Sequence, residues 1–283
     1  MMEPKGHAKS EEVRKAFDVS INSGIAHVTL KGPSKGNALG PDFWREAPEL
    51  FDELDGNADV RSIVLSGAGA NFTFGLDLIA MTSELRYALG APAMAAERTR
   101  FLDQLTEMQR AVVSLMSCRK PVVASISGWC VGAGIDLICA ADVRVCSGDA
   151  MFSARAVRIG IVEDMGSLQR LPSIIGEGAA RELCLTGDDF DATRAAALGL
   201  VNHVDETPEA SLAHAVGIAE RFAANPPLTV QGVKRVMNER AHDRLRESLN
   251  YTALWNTAFM QSRDFAEAIS AFTEKRAPIF EGR

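Results

Sequence analysis

The stretch KPVVASISGWCVGAGIDLICAADVRV, residues 120–145, decides the fold class of this chain. Residues 121–127 are an almost continuous apolar run that stops at Gly128, as expected for a strand buried on both faces of a parallel sheet. Residues 134–141 have the composition of a short apolar helix, and residues 142–146 form a second predicted strand. A helix between two parallel strands is typical of an α/β fold.

The segments before this stretch continue the same alternation. Residues 17–22 and 25–31 predict a hairpin with a two-residue turn, and residues 61–66 predict another buried strand. Helical spacing is found at residues 41–54 and 97–117.

The segments after Gly166 are predicted to be mostly helical. Only residues 200–204 are predicted as a strand there. Helical spacing occurs at residues 168–175, 177–185, 192–198, 208–224, 228–241, 243–260 and 263–275. We therefore expect three regions along the chain: a flexible leader (1–15), an α/β core (16–200) and a C-terminal helical region (201–283).

An apolar stripe runs along the predicted C-terminal helices. It includes Leu245, Leu249, Leu254, Phe259 and Phe265. So many apolar side chains are difficult to bury within one helical region, which suggests contact with another subunit. Packing on the chain's own body is the alternative, and the sequence leaves both open.

Composition and charge argue against several functional classes. The 283 residues are 47% apolar and 24% charged, an ordinary globular composition. A net charge of −7 without a basic stripe argues against a nucleic-acid partner, and no apolar run is long enough for a membrane helix. Five cysteines without CxxC spacing favour reduced thiols and a cytoplasmic location. The histidines form no HExxH or similar pair, so we expect no metal site.

Two glycine-containing turns each follow a predicted buried strand. They are NFTFGLDL at residues 71–78 and SGWCVGAGIDL at residues 127–137. Backbone N–H groups at a helix start can point toward an anion, and two of them meeting at one point would form an oxyanion hole. Asp77 is predicted to cap the helix after the first turn. Both turns could instead be purely structural, and their spacing alone does not distinguish the two roles.

Six segments spanning nearly the whole chain occur in the order of one known family. They are SKGNAL (34–39), FGLDL (74–78), residues 120–145, DMGSLQRLPSIIG (164–176), AAALGLVNHV (195–204) and FTEKRAPIFEG (272–282). With these segments the chain resembles the crotonase, or enoyl-CoA hydratase/isomerase, superfamily. The resemblance implies an α/β fold of the ClpP/crotonase type, a spiral of ββα units with a C-terminal helical trimerisation region. It also implies a homotrimer, or a hexamer made of two trimers.

The resemblance implies an acyl-CoA substrate, with coenzyme A as part of the substrate and no separate cofactor. The thioester carbonyl would lie between the backbone N–H groups of Leu76 and Ala133. Family members more often have Gly at the position of Ala133, but Ala can donate the same N–H if its backbone stays in a region open to L-residues. The residues implied to contact coenzyme A are Lys35, Asn37, Ala38, Lys275 and Phe280. A solvated surface side chain is the alternative for each lysine.

Acidic positions separate the branches of this family. Hydratases carry two glutamates, whose counterparts here are Asp136 and Ala156, so a water held by two acids is not expected. The Δ3,5-Δ2,4-dienoyl-CoA isomerases match better, with aspartates at the positions of Asp136 and Asp164, although their third carboxylate is missing at Ala156. We therefore expect an enzyme that shifts double bonds of a dienoyl- or enoyl-CoA through an oxyanion-stabilised dienolate. An enoyl-CoA hydratase of fatty-acid degradation and a non-catalytic acyl-CoA-binding oligomer are the alternatives.

Three carboxyl groups are candidates for proton transfer: Asp164, Asp136 and Glu163. Asp164 lies among apolar residues, which should raise its pKa and suit it to carrying a proton, but it could instead cap the helix begun near Ser167. Asp136 could likewise orient or cap a helix start. Glu163 could replace the acid missing at Ala156, although adjacent residues rarely face the same way.

Overall fold

Strands and helices alternate along the first part of the chain, and helices dominate the rest. The computed structural model describes residues 14–32, 36–89 and 93–283, and at residues 89 and 240–244 it describes the backbone alone. The strands are β1 (Phe17–Asn22), β2 (Ile25–Leu30), β3 (Ser62–Gly67), β4 (Val122–Ile126), β5 (Trp129–Val131), β6 (Val143–Ser147), β7 (Met151–Ser153), β8 (Asp189–Asp191) and β9 (His203–Asp205).

Most of the helices coincide with predicted helical segments, but α3 was not predicted. They are α1 (Pro41–Gly56), α2 (Leu78–Glu84), α3 (Arg86–Leu89), α4 (Ala95–Ser117), α5 (Ala133–Ala140), α6 (Ser167–Ile175), α7 (Glu177–Thr186), α8 (Ala192–Leu198), α9 (Pro208–Ala224), α10 (Pro227–Phe259) and α11 (Arg263–Glu274). A short 3-10 helix, Ala156–Ile159, precedes α6. The predicted α/β fold class is confirmed.

The main sheet has the strand order β1-β2-β3-β4-β6-β9. Strands β1 and β2 form the predicted antiparallel hairpin, whose turn residues Ser23 and Gly24 have φ of 49° and 82°. The other neighbours pair in parallel. The strand predicted at residues 200–204 is wrong in its bounds, because pairing with β6 begins only at His203.

A second sheet consists of three short strands in the order β5-β7-β8. Each of them is three residues long. None of them was predicted, because three residues are too few to show the alternation of a strand. Strand β5 follows Gly128, whose φ of 53° turns the chain out of the main sheet directly after β4.

Helices cover the main sheet on both faces. Helices α1 and α4 pack on one face, and the buried apolar residues of α1 include the predicted set Phe43, Ala47, Leu50, Phe51 and Leu54. On the other face, Val64 and Val123 belong to one buried cluster with Ile218 of α9. The Ser62 hydroxyl donates to the Ala219 carbonyl at 2.9 Å. Strand β9 and helix α9, which follow residue 200, therefore pack on the sheet formed by the residues before it.

The C-terminal region contains one long helix where two were predicted. The predicted segments 228–241 and 243–260 merge into the single helix α10, which ends at Phe259, because no Gly or Pro between them interrupts the backbone hydrogen bonds. The chain's own core buries three members of the predicted apolar stripe: Leu245, Leu249 and Phe265. Leu254 and Phe259 remain at the surface, 54% and 59% exposed.

The predicted leader is described only at its last two residues, since residues 1–13 lie outside the described ranges. Arg14 pairs with Glu53 at 2.7 Å, and the Lys15 N–H donates to Glu46 at 3.1 Å, so both residues contact α1. The five cysteines are free thiols, as predicted. Among the helices described here, none combines the length and the apolarity needed to cross a membrane.

Candidate active site

The two glycine-containing turns lie side by side. Thr73 and Cys130 form a parallel bridge, in which the Thr73 N–H donates to the Trp129 carbonyl and the Thr73 carbonyl accepts from Val131. Because the two segments run in the same direction, the residues three positions further along, Leu76 and Ala133, are also neighbours. A Cβ atom placed on Gly75 would lie 3.3 Å from the backbone nitrogen of Ala133.

The backbone N–H groups of Leu76 and Ala133 form no hydrogen bond with any other described residue. Ala133 is the first residue of α5, and the first N–H groups of a helix have no partner within it. The sharp turns are made by Gly75 and Gly132, with φ of 78° and 53°, whereas Ala133 does not have a positive φ. The backbone at 133 is therefore open to an L-residue, and two free donors lie beside each other.

Asp77 fixes the first of these turns. Its side chain accepts a hydrogen bond from the Ala80 N–H at 3.0 Å and so caps α2, as predicted. Its own N–H donates to the Leu39 carbonyl at 3.1 Å. On the other side of Leu76, the Gly75 carbonyl accepts from the Leu39 N–H at 2.8 Å. Leu76 is thus held between two anchored neighbours, which gives its free N–H a fixed direction.

A cavity of about 880 Å³ opens beside the two N–H groups. Both Leu76 and Ala133 line it, and so do the three candidate carboxyl groups. Asp136 comes from α5, whereas Glu163 and Asp164 come from the irregular loop before α6. All three side chains are buried. The fold therefore brings the predicted oxyanion donors and the predicted acids into one cavity.

Asp164 is held by a residue from the C-terminal region. Its carboxylate accepts a hydrogen bond at 2.6 Å from the side-chain amide of Asn256, on α10, which also donates to the Val162 carbonyl. Residue Gly166, not Asp164, occupies the N-cap position of α6, so the alternative capping role of Asp164 is excluded. Burial raises the pKa of Asp164 to about 7, against a partial lowering by the Asn256 hydrogen bond. Asn256 lies 92 positions from Asp164 in the sequence, so local patterning could not predict this contact.

Asp136 and Glu163 are connected through Ser167. The Ser167 N–H donates to Asp136 at 2.5 Å, and the Ser167 hydroxyl donates to Glu163 at 2.7 Å. Burial raises the pKa of both carboxyl groups, and in Glu163 the neighbouring Asp136 raises it further. In Asp136 the hydrogen bonds from Ser167 and the buried Arg170 guanidinium oppose part of this rise. Asp136 therefore contacts the first residue of α6, and its role in proton transfer stays a prediction.

The remaining walls of the cavity are mostly apolar and come from elements far apart in the chain. They include Leu85, Phe101, Leu105, Met108, Met260, Ala268 and Ala271. Such a surface suits a hydrocarbon chain. Helical periodicity alone could not predict that these residues line one cavity, because their positions depend on how α4, α10 and α11 pack.

The residues implied to contact coenzyme A lie in different settings. Lys35 is outside the described residues, and Ala38 lines the cavity. The Asn37 amide donates to three loop carbonyls, those of residues 68, 71 and 72, so its side chain is committed to holding the loop. Lys275 ends α11 with a φ of 54°, and Phe280 is 46% exposed.

The side chains at the cavity mouth are basic. Arg155 and Arg158 line the cavity and pair with Asp189 and Asp188 of the same chain, at 2.6 and 2.7 Å. Arg276, on the segment after α11, also lines it. Within the described part of the chain, no group of three or more His, Cys, Asp or Glu is placed to hold a metal ion.

Comparison with known proteins gives three kinds of match: a family, similar sequences and solved structures. Residues 20–283 match the family described as enoyl-CoA hydratase/isomerase. The peroxisomal Delta(3,5)-Delta(2,4)-dienoyl-CoA isomerase of Arabidopsis thaliana is 40% identical over 270 residues, which cover 95% of this chain and 96% of that protein. The mitochondrial enzyme of the same name from Homo sapiens is 36% identical, covering 96% of this chain and 83% of that protein. The solved enoyl-CoA hydratase/isomerase from Pseudoalteromonas atlantica T6c has a TM-score of 0.82 at 26% identity, covering 94% of this chain and 100% of that one.

These names show that the expected cytoplasmic location is wrong. Both similar isomerases are named for an organelle, the peroxisome in one case and the mitochondrion in the other. Free thiols argue only against an oxidising compartment, so the cysteines could not separate the cytoplasm from other reducing compartments.

Sequence and structure agree on the family. The match at residues 20–283 includes all six of the segments on which the resemblance was based. The fold is shared with solved enoyl-CoA hydratases/isomerases over nearly the whole chain. The chain belongs to the enoyl-CoA hydratase/isomerase family, the crotonase superfamily, and within it resembles the dienoyl-CoA isomerases.

Proposed function

We propose that this protein converts a 3,5-dienoyl-CoA into the conjugated 2,4-dienoyl-CoA. The observation that carries the proposal is a buried carboxyl group, Asp164, in the same apolar cavity as the two free N–H groups of Leu76 and Ala133. The names of the similar isomerases from Arabidopsis and human support the choice of reaction. Hydration is less favoured, because Ala156 can neither hold nor activate water.

The proposed mechanism needs no group beyond the chain and its substrate. The thioester oxygen would accept hydrogen bonds from Leu76 and Ala133, which stabilise the negative charge of the dienolate. Asp164, whose pKa is raised to about 7, would carry one of the two protons that move. Asp136 would hold the loop through Ser167. Coenzyme A enters as part of the substrate.

The coenzyme A contacts are also proposed on the basis of position. Ala38 lines the cavity near the first oxyanion turn, so the thioester arm would pass its backbone. Lys35 and Asn37 flank the same loop in the sequence. Lys275 and Phe280 belong to the exposed segment at and after the end of α11, where they are available to a coenzyme A held by this chain or a neighbouring one.

We further propose that the chain forms a homotrimer, or a hexamer of two trimers. Supporting this is an exposed apolar face on α10, formed by Tyr251, Leu254, Trp255 and Phe259, each at least 43% exposed. Exposed apolar surface of this kind typically marks contact with another protein. The implied subunit arrangement of the crotonase superfamily points to further copies of the same chain.

The first prediction tests Asp164 with two substrates. We expect the wild type to isomerise a 3,5-dienoyl-CoA faster than it hydrates a 2-enoyl-CoA. Asp164→Asn keeps the shape and the Asn256 contact but removes the base, so isomerisation should fall roughly 100- to 10,000-fold. Dienoyl conversion is followed by ultraviolet absorbance, and binding of an acyl-CoA is followed by calorimetry and should persist.

Asp205→Asn is the matched control, because Asp205 pairs with His214 and does not line the cavity. It should leave both activities unchanged. A wild type that hydrates the enoyl substrate and ignores the diene would overturn the proposed reaction. A wild type that binds acyl-CoA and converts neither substrate would favour the non-catalytic alternative.

A further inference from the structure

Glu163 carries a buried carboxyl oxygen whose role the fold alone does not explain. Its side chain lines the cavity, and the residue is 7% exposed. One oxygen, Oε2, accepts from Ser167, whereas Oε1 has no hydrogen-bond partner among the described residues. A buried polar atom without a partner is costly, so such an atom beside a cavity points to a partner that enters it.

The carboxyl group of Glu163 lies next to residue 156, the position that lacks an acid. The loop after the 3-10 helix folds back on itself, with the Ile161 N–H donating to the Ala156 carbonyl at 3.1 Å. The backbone N–H of Ala156 is close enough to Glu163 to lower its pKa, although no hydrogen bond of ordinary geometry reaches Oε1. Ala156 itself lines the same cavity.

Two side chains hold Glu163 in this place. The Ser167 hydroxyl donates to Oε2 at 2.7 Å, and the Cys184 thiol of α7 contacts the same oxygen at 3.7 Å. Both contacts fall on one oxygen, which leaves the other available to the cavity. Glu163 and Asp164 can both face the cavity because residues 160–166 are irregular, and adjacent side chains diverge only in regular strands and helices.

We propose that Glu163 is the second catalytic proton-transfer group of this site, supplying from the next turn of the loop the carboxyl group that position 156 lacks. The inference rests on the proposed isomerase function. Burial and the charge of Asp136 raise the pKa of Glu163, which favours a proton on this group near neutral pH.

Glu163 and Asp164 would then each carry out one of the two proton transfers. One of them, ionised, takes the proton from C2, and the electron pair of that C–H bond enters the conjugated system, so that charge develops on the thioester oxygen. The other, protonated, delivers its proton to C6, where an electron pair of the conjugated system forms the new C–H bond. The first carboxyl ends protonated and the second ionised, and transfer of one proton between them restores the enzyme.

The test first removes the carboxyl group at residue 163 and then introduces one at residue 156. Glu163→Gln should bind acyl-CoA as the wild type does in calorimetry but lose at least 100-fold in dienoyl-CoA isomerisation. Glu46→Gln is the control, because Glu46 is equally buried, at 8% exposure, but lies outside the cavity. Glu163→Ala should be similarly impaired. Adding Ala156→Glu to this variant should raise its isomerisation rate at least tenfold.

The outcomes separate this inference from the proposed function. A wild type inactive on the diene contradicts the proposed function itself. An active wild type with a loss smaller than 100-fold in Glu163→Gln overturns the assignment of Glu163 alone. Absence of rescue by Ala156→Glu also overturns it. Glu163 would then act only by accepting the Ser167 hydrogen bond, a structural role that a carboxyl group at position 156 cannot take over.

Discussion

At the scale of single residues, burial decides what the carboxyl groups can do. Asp164 has one amide donor, Asn256, and no basic partner among the described residues, so its neutral form is favoured in the folded chain. Its pKa is about 7 there, against an ordinary value of 3.8. The folded protein therefore binds more protons than the unfolded chain between these two values. The contribution to stability is fully present below about pH 3.8 and is lost as the pH rises through about 7.

The second prediction follows from this pH dependence. Asp164→Asn removes the titrating group and keeps an oxygen that can accept from Asn256. One pKa unit corresponds to about 1.4 kcal/mol, so at pH 8 the variant should be more stable than the wild type by at most about 4 kcal/mol. Near pH 4 the difference should be close to zero. Thermal unfolding of both proteins at the two pH values measures it, and a variant less stable than the wild type at pH 8 would contradict the prediction.

At the scale of elements, the start of α5 combines a sharp turn with a free donor. Gly132, with a φ of 53°, brings the chain round, and Ala133 begins the helix with an N–H that has no described partner. The first position of a helix is also where proline is best tolerated, since its missing N–H has no helical acceptor to serve. A donor can therefore be removed here with little effect on the helix itself.

The third prediction uses this tolerance. Ala133→Pro removes one of the two proposed oxyanion donors, which should lower turnover roughly 100- to 1,000-fold. Ala192→Pro is the control, because Ala192 is also the first residue of a helix, α8, and does not line the cavity. Circular dichroism checks folding of both variants. Unchanged turnover in a folded Ala133→Pro variant would remove Ala133 from the site.

At the scale of the whole molecule, the long helix α10 packs on the core with one side and exposes apolar residues on the other. Its inner side places Leu245 and Leu249 in the core and Asn256 on Asp164. Its outer side leaves Leu254 and Trp255 exposed by 54% and 43%. A cluster of exposed aromatic and aliphatic residues is costly in water, so a contact between copies of the chain would stabilise the molecule.

The fourth prediction concerns this outer side. Light scattering at micromolar concentration should return about 91 kDa, three times the chain mass of 30.4 kDa, or twice that for a hexamer. Leu254→Lys should shift the population toward smaller species, whereas Leu185→Lys, at an exposed residue of α7, should not. A wild-type mass near 30 kDa would contradict the proposed assembly.

Local sequence determined most of the elements and the identity of the candidate groups. Apolar runs such as residues 121–127 become buried strands, because each residue in a central parallel strand meets a hydrophobic layer on either side. Glycines at 75 and 132 mark the turns, since their positive φ is costly for other residues. The continuity of α10 was missed at residues 241–243, and the strands β5, β7 and β8 were too short to show a period.

The arrangement of the site was decided only by tertiary structure. Sequence periodicity reports which residues share a face of one element, but a carboxyl group in an irregular loop points wherever its partners hold it. Asn256, Ser167 and Cys184, from three different helices, hold Asp164 and Glu163 at the cavity. The raised pKa values of the two acids come from the same burial, which exists only once α10 and the loop before α6 have packed together.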